Sequence, residues 1–529
     1  MGLTIALALL LIAPAPAAAG LPVKSKVTLA WVPSGTSVSQ LARAGLSPGL
    51  MSAGLGTVPA QQTYLDVGQG NRVFDSLYDE PLPPLSRDCP AWQEEVMRRA
   101  DSAPAEIVPG LLQEELRGSD VMALYRGESS CALGGVPGIG FGPADQKYFE
   151  DLDLSLARVR ALVRSLRHGE MLIAIARPTG RSGDPLPIGV AARGFDGNLI
   201  SDSTRTAGYV LSTDVAPTIL GWLGIPVPSQ MSGQAIHTTG SVDAAAIESL
   251  GARMAVIGSR RGPVIGLAIG IWVAALALAV LLGRAGWAGP AARVVGLSVI
   301  YMPLVLLLGA ALEAGEGVEQ ALVALGSPLL AVATLAALGG YRALAAASGI
   351  TVLAYALDAI AGSPLTALSL LGPNPGLGVR FYGIGNELEA MLGVLIAGGT
   401  GAALAGFAPR LAPRRCAATF LVVGLACAVV FAAGRFGADV GAAIVFPVGA
   451  AVAAAVVAGW HWQRAWLVVA VPVGVLALLA AIDLATGANA HLTRSVLDAG
   501  GLGSLADVAQ RRLQLSAHSF MRPILAAFL

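Results

Sequence analysis

Charge is what this chain of 529 residues most lacks. Only 13% of its residues are Asp, Glu, Lys or Arg, while 55% are hydrophobic. An ordinary soluble domain is roughly 25% charged, so the shortfall excludes a wholly soluble protein and points to a polytopic membrane protein. The formal net charge is zero, and without a basic excess there is no electrostatic footprint for nucleic acid. Lysine is nearly absent: Lys24, Lys26 and Lys147 are the only ones among 34 basic residues, the rest being arginine. Beside so much Ala and Gly, that bias reads as a GC-rich coding sequence rather than a function. Histidine is scarce too, and only His168 and His237 precede the membrane segments. The four cysteines divide into Cys89 and Cys131 in the first half and Cys416 and Cys427 in one apolar segment.

What is present divides the chain in two. Residues 1–20, MGLTIALALLLIAPAPAAAG, contain an apolar run of signal-peptide length, then Ala17 and Ala19 suited to signal peptidase. No Lys or Arg precedes the run, so an uncleaved N-terminal anchor is the alternative; either makes residues 22–257 an exported domain. A disulfide between Cys89 and Cys131 would persist there, although spacing alone does not place them within bonding distance. Val27–Val32, Met171–Ala176 and Pro187–Ala191 read as buried strands. Leu154–Leu166 has helical apolar spacing, with Arg158, Arg160 and Arg164 elsewhere around the turn. Asp145–Asp153 reads as a solvated helix start. Tyr209–Leu211 leads through Ser212, Thr213 and Asp214, plausible N-cap residues, into a helix at 215–223. Strands alternating with helices predict an α/β domain with a mainly parallel sheet.

Two stretches of this half carry a resemblance. Ser203–Ile236, STRTAGYVLSTDVAPTILGWLGIPVPSQMSGQAI, resembles the C-terminal part of alkaline-phosphatase-superfamily domains, and ARAGLSPGLMSAGLG with TYLDVGQGNR (residues 42–72) is similar to degenerate members found in bacterial membrane proteins. The resemblance implies two metal ions on Asp and His ligands, the first Asp following the first strand. Here that place reads Trp31, Val32, Pro33, Ser34, and the place of a later Asp-His pair reads Ala176, Arg177, Pro178. With only two histidines available, paired zinc-like sites cannot readily be assembled. Ser34, Thr57 and Thr63 are candidate relics of a nucleophile with no base evident beside them. The domain is therefore expected to be a pseudo-enzyme with no metal and no cofactor.

The second half, residues 262–485, contains apolar segments of spanning length at 264–283, 294–312, 321–340, 343–361, 388–406, 416–433, 440–458 and 465–482, predicting an all-α bundle of eight to nine helices. Starting from an exported domain, the inside loops hold Arg284, Arg293, Arg342, Arg410, Arg414, Arg415 and Arg464 and no acid, whereas the outside loop 313–319 holds Glu313, Glu316 and Glu319 and no base. This follows the positive-inside rule and places the protein in a bacterial plasma membrane with its N-terminal domain extracytoplasmic. Arg260 and Arg261, just before the first span, read as headgroup anchors.

On that topology the polar oddities share the outer face: Asp358, Asp483 and above all Leu370–Leu395, LLGPNPGLGVRFYGIGNELEAMLGVL. Charged groups at the mouth of a membrane helix cost free energy unless they face protein or water, which makes them functional candidates. Arg380, Tyr382, Asn386 and Glu387, with Arg435 and Asp439 of GRFGADVG and His491 and Arg494 of AHLTR, form the candidate substrate-binding set. Glu389 ranks below Glu387. These motifs resemble a bacterial multi-pass family whose exported part is the degenerate phosphatase-like domain. Residues 486–529 read as an amphipathic outer-interface segment, ending in an apolar run at 520–529 too short to span.

Three readings of the outer face follow. The charges pair with one another and hold loops together. Or the basic residues, with glycine-exposed amides of 376–385, hold a lipid phosphate or carboxylate. Or Glu387 or Asp439 acts as a base beside Arg380. The leading functional expectation is recognition of an anionic, lipid-linked cell-envelope substrate at the outer leaflet, with membrane lipid or lipid-linked precursor as partner and the exported domain as a lid or docking module for envelope proteins. A metal-dependent phospho- or sulfo-hydrolase and a transporter with an outer polar gate are the alternatives.

Overall fold

The computed structural model describes residues 25–459, apart from 86–87, 104, 136–139, 142–146, 283–284, 434–435 and 438, together with isolated positions beyond 459. The expected leader at 1–20 and amphipathic segment at 486–529 lie outside the described residues, as does the 465–482 span apart from single positions.

The first unit is built on twelve strands: β1 (Ser25–Val32), β2 (Ser47–Ser52), β3 (Val58–Pro59), β4 (Met122–Tyr125), β5 (Gly140–Phe141), β6 (Lys147–Asp153), β7 (Glu170–Ala176), β8 (Arg181–Ser182), β9 (Leu186–Ala191), β10 (Asn198–Ile200), β11 (Tyr209–Leu211) and β12 (His237–Thr239). Ten of them form one sheet in the order β12-β10-β11-β2-β9-β7-β1-β6-β4-β5, and β3 pairs with β8. Six short helices cover it: α1 (Val38–Arg43), α2 (Ala60–Gln69), α3 (Cys89–Asp101), α4 (Leu111–Gly118), α5 (Leu156–Ser165) and α6 (Val215–Trp222).

Strand alternation decides which helix packs where. Val27, Leu29 and Trp31 of β1, with Met171, Ile173 and Ile175 of β7, face one side and join the core with α2, α3, α4 and α6. Ala30, Leu172, Ala174 and Ala176 face the other and meet Leu41 and Val159 from α1 and α5. Large residues fill the deeper layer, and the alanines let α1 and α5 come close. Cys89 and Cys131 are disulfide-bonded across that deeper layer.

One expectation holds in part and one needs correcting. Five of the nine strand pairings of this sheet are parallel. The sheet is nevertheless mixed, because β9 runs antiparallel to both β7 and β2 and the edge strands β5 and β12 are antiparallel to their neighbours. Only residues 177–185 connect β7 to β9, too few for the crossover of roughly a dozen residues that parallel pairing requires. Asp145–Asp153 is no solvated helix start. Lys147–Asp153 is an interior strand between β1 and β4, and Asp151 is fully buried. Its carboxylate accepts from Trp31 Nε1 (3.0 Å), Ser129 Oγ (2.8 Å) and Ser130 Oγ (2.9 Å).

The second unit is helical: α7 (Ala244–Leu281), α8 (Ala285–Ala311), α9 (Glu316–Ala321), α10 (Ser327–Leu338), α11 (Gly340–Ile360), α12 (Pro364–Leu368), α13 (Asn386–Phe407), α14 (Pro413–Ala432) and α15 (Val440–Ala458). A π-helical stretch, Leu322–Gly326, joins α9 to α10. Among the described residues seven helices are long and apolar enough to cross a membrane, and they match the first seven predicted segments. The fold is thus a multi-pass membrane protein with an α/β unit ahead of its helices. Residues 257–262 lie within one continuous helix. Asp243 caps α7 by accepting the Ala246 N–H, and the 38-residue helix runs from the α/β domain into the first span.

Candidate functional site

The stretch 370–385 is a plug between the two units. Arg72 of the α/β domain donates to Gly378 O (2.7 Å), Ser52 Oγ (3.1 Å) and Gly54 O (3.2 Å). Tyr209 Oη donates to Pro375 O (3.3 Å), and its ring packs 5.6 Å from that of Phe381. Arg261 holds the other end through Leu370 O and Gly372 O, both at 2.6 Å. Glycine is required at 378: its φ is +71°, and a Cβ there would collide with Gly54 O. Gly383 N donates to Ser363 Oγ (3.0 Å) and a Cβ on it would strike Gly437 O, so Gly378 and Gly383 both serve close packing.

Arg380 leaves the plug on the bundle side. One guanidinium nitrogen donates to Ile384 O and the other lies 3.1 Å from Asp439 Oδ1. Its side chain is 33% exposed, that of Asp439 5%. Asp439 stands just ahead of α15, and its Oδ2 has no hydrogen-bond partner among the described residues. Beside it lies the carboxyl of Glu389, buried in the first turn of α13. Gly441 makes room for that carboxyl, since a Cβ at 441 would occupy its place.

The two glutamates are placed differently. Glu387 and Asn386 are exposed at the start of α13, where an acidic residue suits the helix dipole, and Glu389 belongs to the cluster. Helical phase carried the signal: Glu389 precedes the buried Leu392 and Ile396 by three and seven residues, the spacing of one face. Tyr382 sits apart, half-buried under the Arg205 guanidinium at 4.3 Å from its ring centroid. Arg435, His491 and Arg494 lie outside the described residues.

The other polar residues at this end are staples. Glu319 is buried and pairs with Arg253 (2.7 Å) and Arg260 (3.4 Å); Arg253 also donates to Leu368 O. Asp358 accepts the N–H groups of Leu365 and Thr366 at 3.1 and 2.8 Å. Arg260 and Arg261 are accordingly protein clamps, which corrects the headgroup-anchor reading: carboxylate and carbonyl acceptors from later loops reach them.

In the α/β domain, Asp214 is fully buried and accepts from Ser201 Oγ (2.6 Å), Ser203 Oγ (2.6 Å), Leu211 N (2.9 Å) and Gln234 N (2.9 Å). Four donors leave no lone pair aimed at a metal. Asp66, also buried, takes Gln62 Nε2 (2.8 Å) and Gln69 Nε2 (3.1 Å) on one oxygen; burial pushes its carboxyl up to about 7. Burial likewise raises Asp151 to about 6. Ser34 and Thr57 are exposed and Thr63 is buried. Among the described residues no group of three or more His, Cys, Asp or Glu is placed to hold a metal ion.

No protein-family model matches the chain, and no curated relative or solved structure matches it either. Fold and site define a class, a multi-pass membrane protein whose α/β domain is keyed to the helices by a glycine-rich plug.

Proposed function

We propose that this protein lies in a bacterial plasma membrane with its α/β domain extracytoplasmic and handles an anionic, lipid-linked envelope substrate at the outer leaflet. The observation that carries this reading is the partial exposure of Arg380. Arg253 commits its donors to protein acceptors and is 8% exposed. Arg380 also donates to Ile384 O and Asp439 but keeps one third of its side chain open at the bundle mouth. Tyr382, two residues on, carries the exposed Arg205 on its ring. Two guanidinium groups at the seam between domain and bundle suit a phosphate or carboxylate headgroup. The orientation rests on the arginine-only loops at the opposite end. The α/β domain, a degenerate relative of alkaline-phosphatase-type domains in this reading, serves as lid and partner-docking module.

The test is lipid identification. Mass spectrometry of purified wild-type protein should find a co-purifying anionic lipid, and Arg380→Gln should lose it while remaining folded. Equal lipid content in both proteins would remove Arg380 from the site.

A second reading has its own support. Asp439 Oδ2 is buried without a partner among the described residues, beside the Glu389 carboxyl, an arrangement suited to taking up a proton or a cation in a transporter gate. Proteoliposomes in which Asp439→Asn abolishes a pH-gradient-driven flux would favour it; an unchanged flux would discard it.

A further inference from the structure

The α/β domain carries a second charged surface, separate from the bundle mouth. Helix α5 turns Val159 onto the sheet with Leu162, Val163 and Leu166 packed beside it, so the intervening Arg158, Arg160 and Arg164 stand exposed. Arg160 and Arg164 are one turn apart, the spacing at which like charges repel. Exposed Arg167 follows the helix. Arg193, after β9, is exposed too and lies 3.3 Å from His168 Nδ1. None of these five arginines pairs with a carboxylate among the described residues. Glu170 is close at hand, but it accepts the Arg167 backbone N–H at 2.9 Å. Elsewhere on the same domain Arg98, Arg177 and Arg181 are each paired with an acid.

Between α5 and Arg193 opens a shallow pocket of about 410 Å3. Arg167, His168 and Arg193 line it together with Val163, Leu166 and Phe195, and Glu170 is the one carboxylate in the lining. Such a surface asks for a ligand that is anionic along its length and apolar at one point. A free phosphate would meet the charge and leave the apolar wall bare, and a planar headgroup layer cannot fill a concavity.

We propose that this face docks an acidic peptide segment of an envelope protein, with carboxylates on Arg160, Arg164, Arg167 and Arg193 and one apolar side chain in the pocket. This gives chemistry to the partner-docking role assigned above to the α/β domain, and its failure would leave the Arg380 site untouched. Ion pairs at an exposed surface steer encounter and weaken with salt.

The test uses the full chain in nanodiscs of zwitterionic lipid and a labelled synthetic peptide of Glu and Asp with a central Leu. Binding should fall about tenfold from roughly 50 to 300 mM salt. The Arg164→Glu, Arg167→Glu double variant should bind at least about tenfold more weakly with an unchanged unfolding midpoint, and should gain affinity for the matching Lys peptide. Replacing the central Leu by Ser should weaken binding severalfold. No peptide binding, equal binding by the double variant, or an affinity lost for phosphatidylglycerol vesicles rather than for the peptide would each overturn the proposal.

Discussion

Asp214 and Asp439 both stand at the start of a helix, one in the α/β domain and one in the bundle, and their surroundings differ in kind. Asp214 is saturated by two hydroxyls and two backbone N–H groups. Asp439 has a one-third-exposed arginine on one oxygen, no donor among the described residues on the other, and the Glu389 carboxyl beside it. A carboxylate with every lone pair occupied is part of the scaffold. One buried with an open oxygen is held in place by the rest of the fold at an energetic cost, and such groups mark sites. The contrast extends to the arginines: both reach protein acceptors, but the Arg253 side chain is 8% exposed and that of Arg380 33%.

The largest effect should come from removing the saturated acid. Asp214→Ala strands Ser201, Ser203, Leu211 N and Gln234 N without an acceptor, and an unpaired buried polar group costs about 1–3 kcal/mol. The sum, on the order of 4 kcal/mol or more, approaches the whole stability of many domains. Little folded protein should be recovered, as read by size-exclusion profile and unfolding midpoint in detergent. A variant that folds at the wild-type midpoint and loses only activity would turn Asp214 into a functional residue and erase the comparison.

Next is Arg253→Gln. The Arg253 and Glu319 side chains are 8% and 1% exposed, and breaking a buried pair by removing one partner costs about 3–5 kcal/mol. Thermal unfolding should drop sharply, and protease should gain access to the junction at 368–378, where Arg253 grips Leu368 O. A loss below about 1 kcal/mol would mean that the seam is held elsewhere.

A smaller, pH-dependent effect belongs to Asp66. Folding raises its carboxyl from 3.8 to about 7 because burial disfavours the charged form. Between those values the folded protein holds a proton that the unfolded chain has released. This contribution is complete below about 3.8 and is lost as pH rises through about 7. Wild type should therefore lose stability relative to Asp66→Asn across that window, by at most ~1.4 kcal/mol per pH unit. Denaturant midpoints of both proteins from pH 4 to 8 read it directly, and parallel curves would mean that Asp66 stays ionised.

Local pattern made part of this legible. The alternation of β1 and β7 and the apolar lengths of seven spans each depend on neighbours a few residues away. Asp214, expected as a cap, instead turns its carboxylate away from α6 onto Ser201, Ser203, Leu211 N and Gln234 N. What escaped is non-local. Asp151 looked like solvated charge because Trp31 Nε1, 120 residues distant, is what makes its burial tolerable. Arg260 and Arg261 looked like anchors because Glu319 and Leu370 O come from later loops. Of the candidate site, Arg380 and Asp439 are both visible as oddities and mutual pairing of the charges is one of the three readings, but which acid Arg380 meets, 59 residues away, is not. Glu389 was readable in principle from its helical phase and was outranked by a more conspicuous neighbour.

The smallest stability effect is the sharpest test. Arg380→Gln keeps an N–H donor that can reach Asp439, and the pair it replaces is one-third open to solvent, so the loss should stay within about 1 kcal/mol. Set beside the several kcal/mol expected for Arg253→Gln, this separates the two arginines by role, although both touch an acid in the same end of the bundle. Near-native unfolding with loss of the co-purified anionic lipid would place Arg380 in a binding site. A destabilisation matching that of Arg253→Gln would make both arginines staples, and the unpartnered oxygen of Asp439 would then be the one feature of the bundle mouth still calling for a ligand.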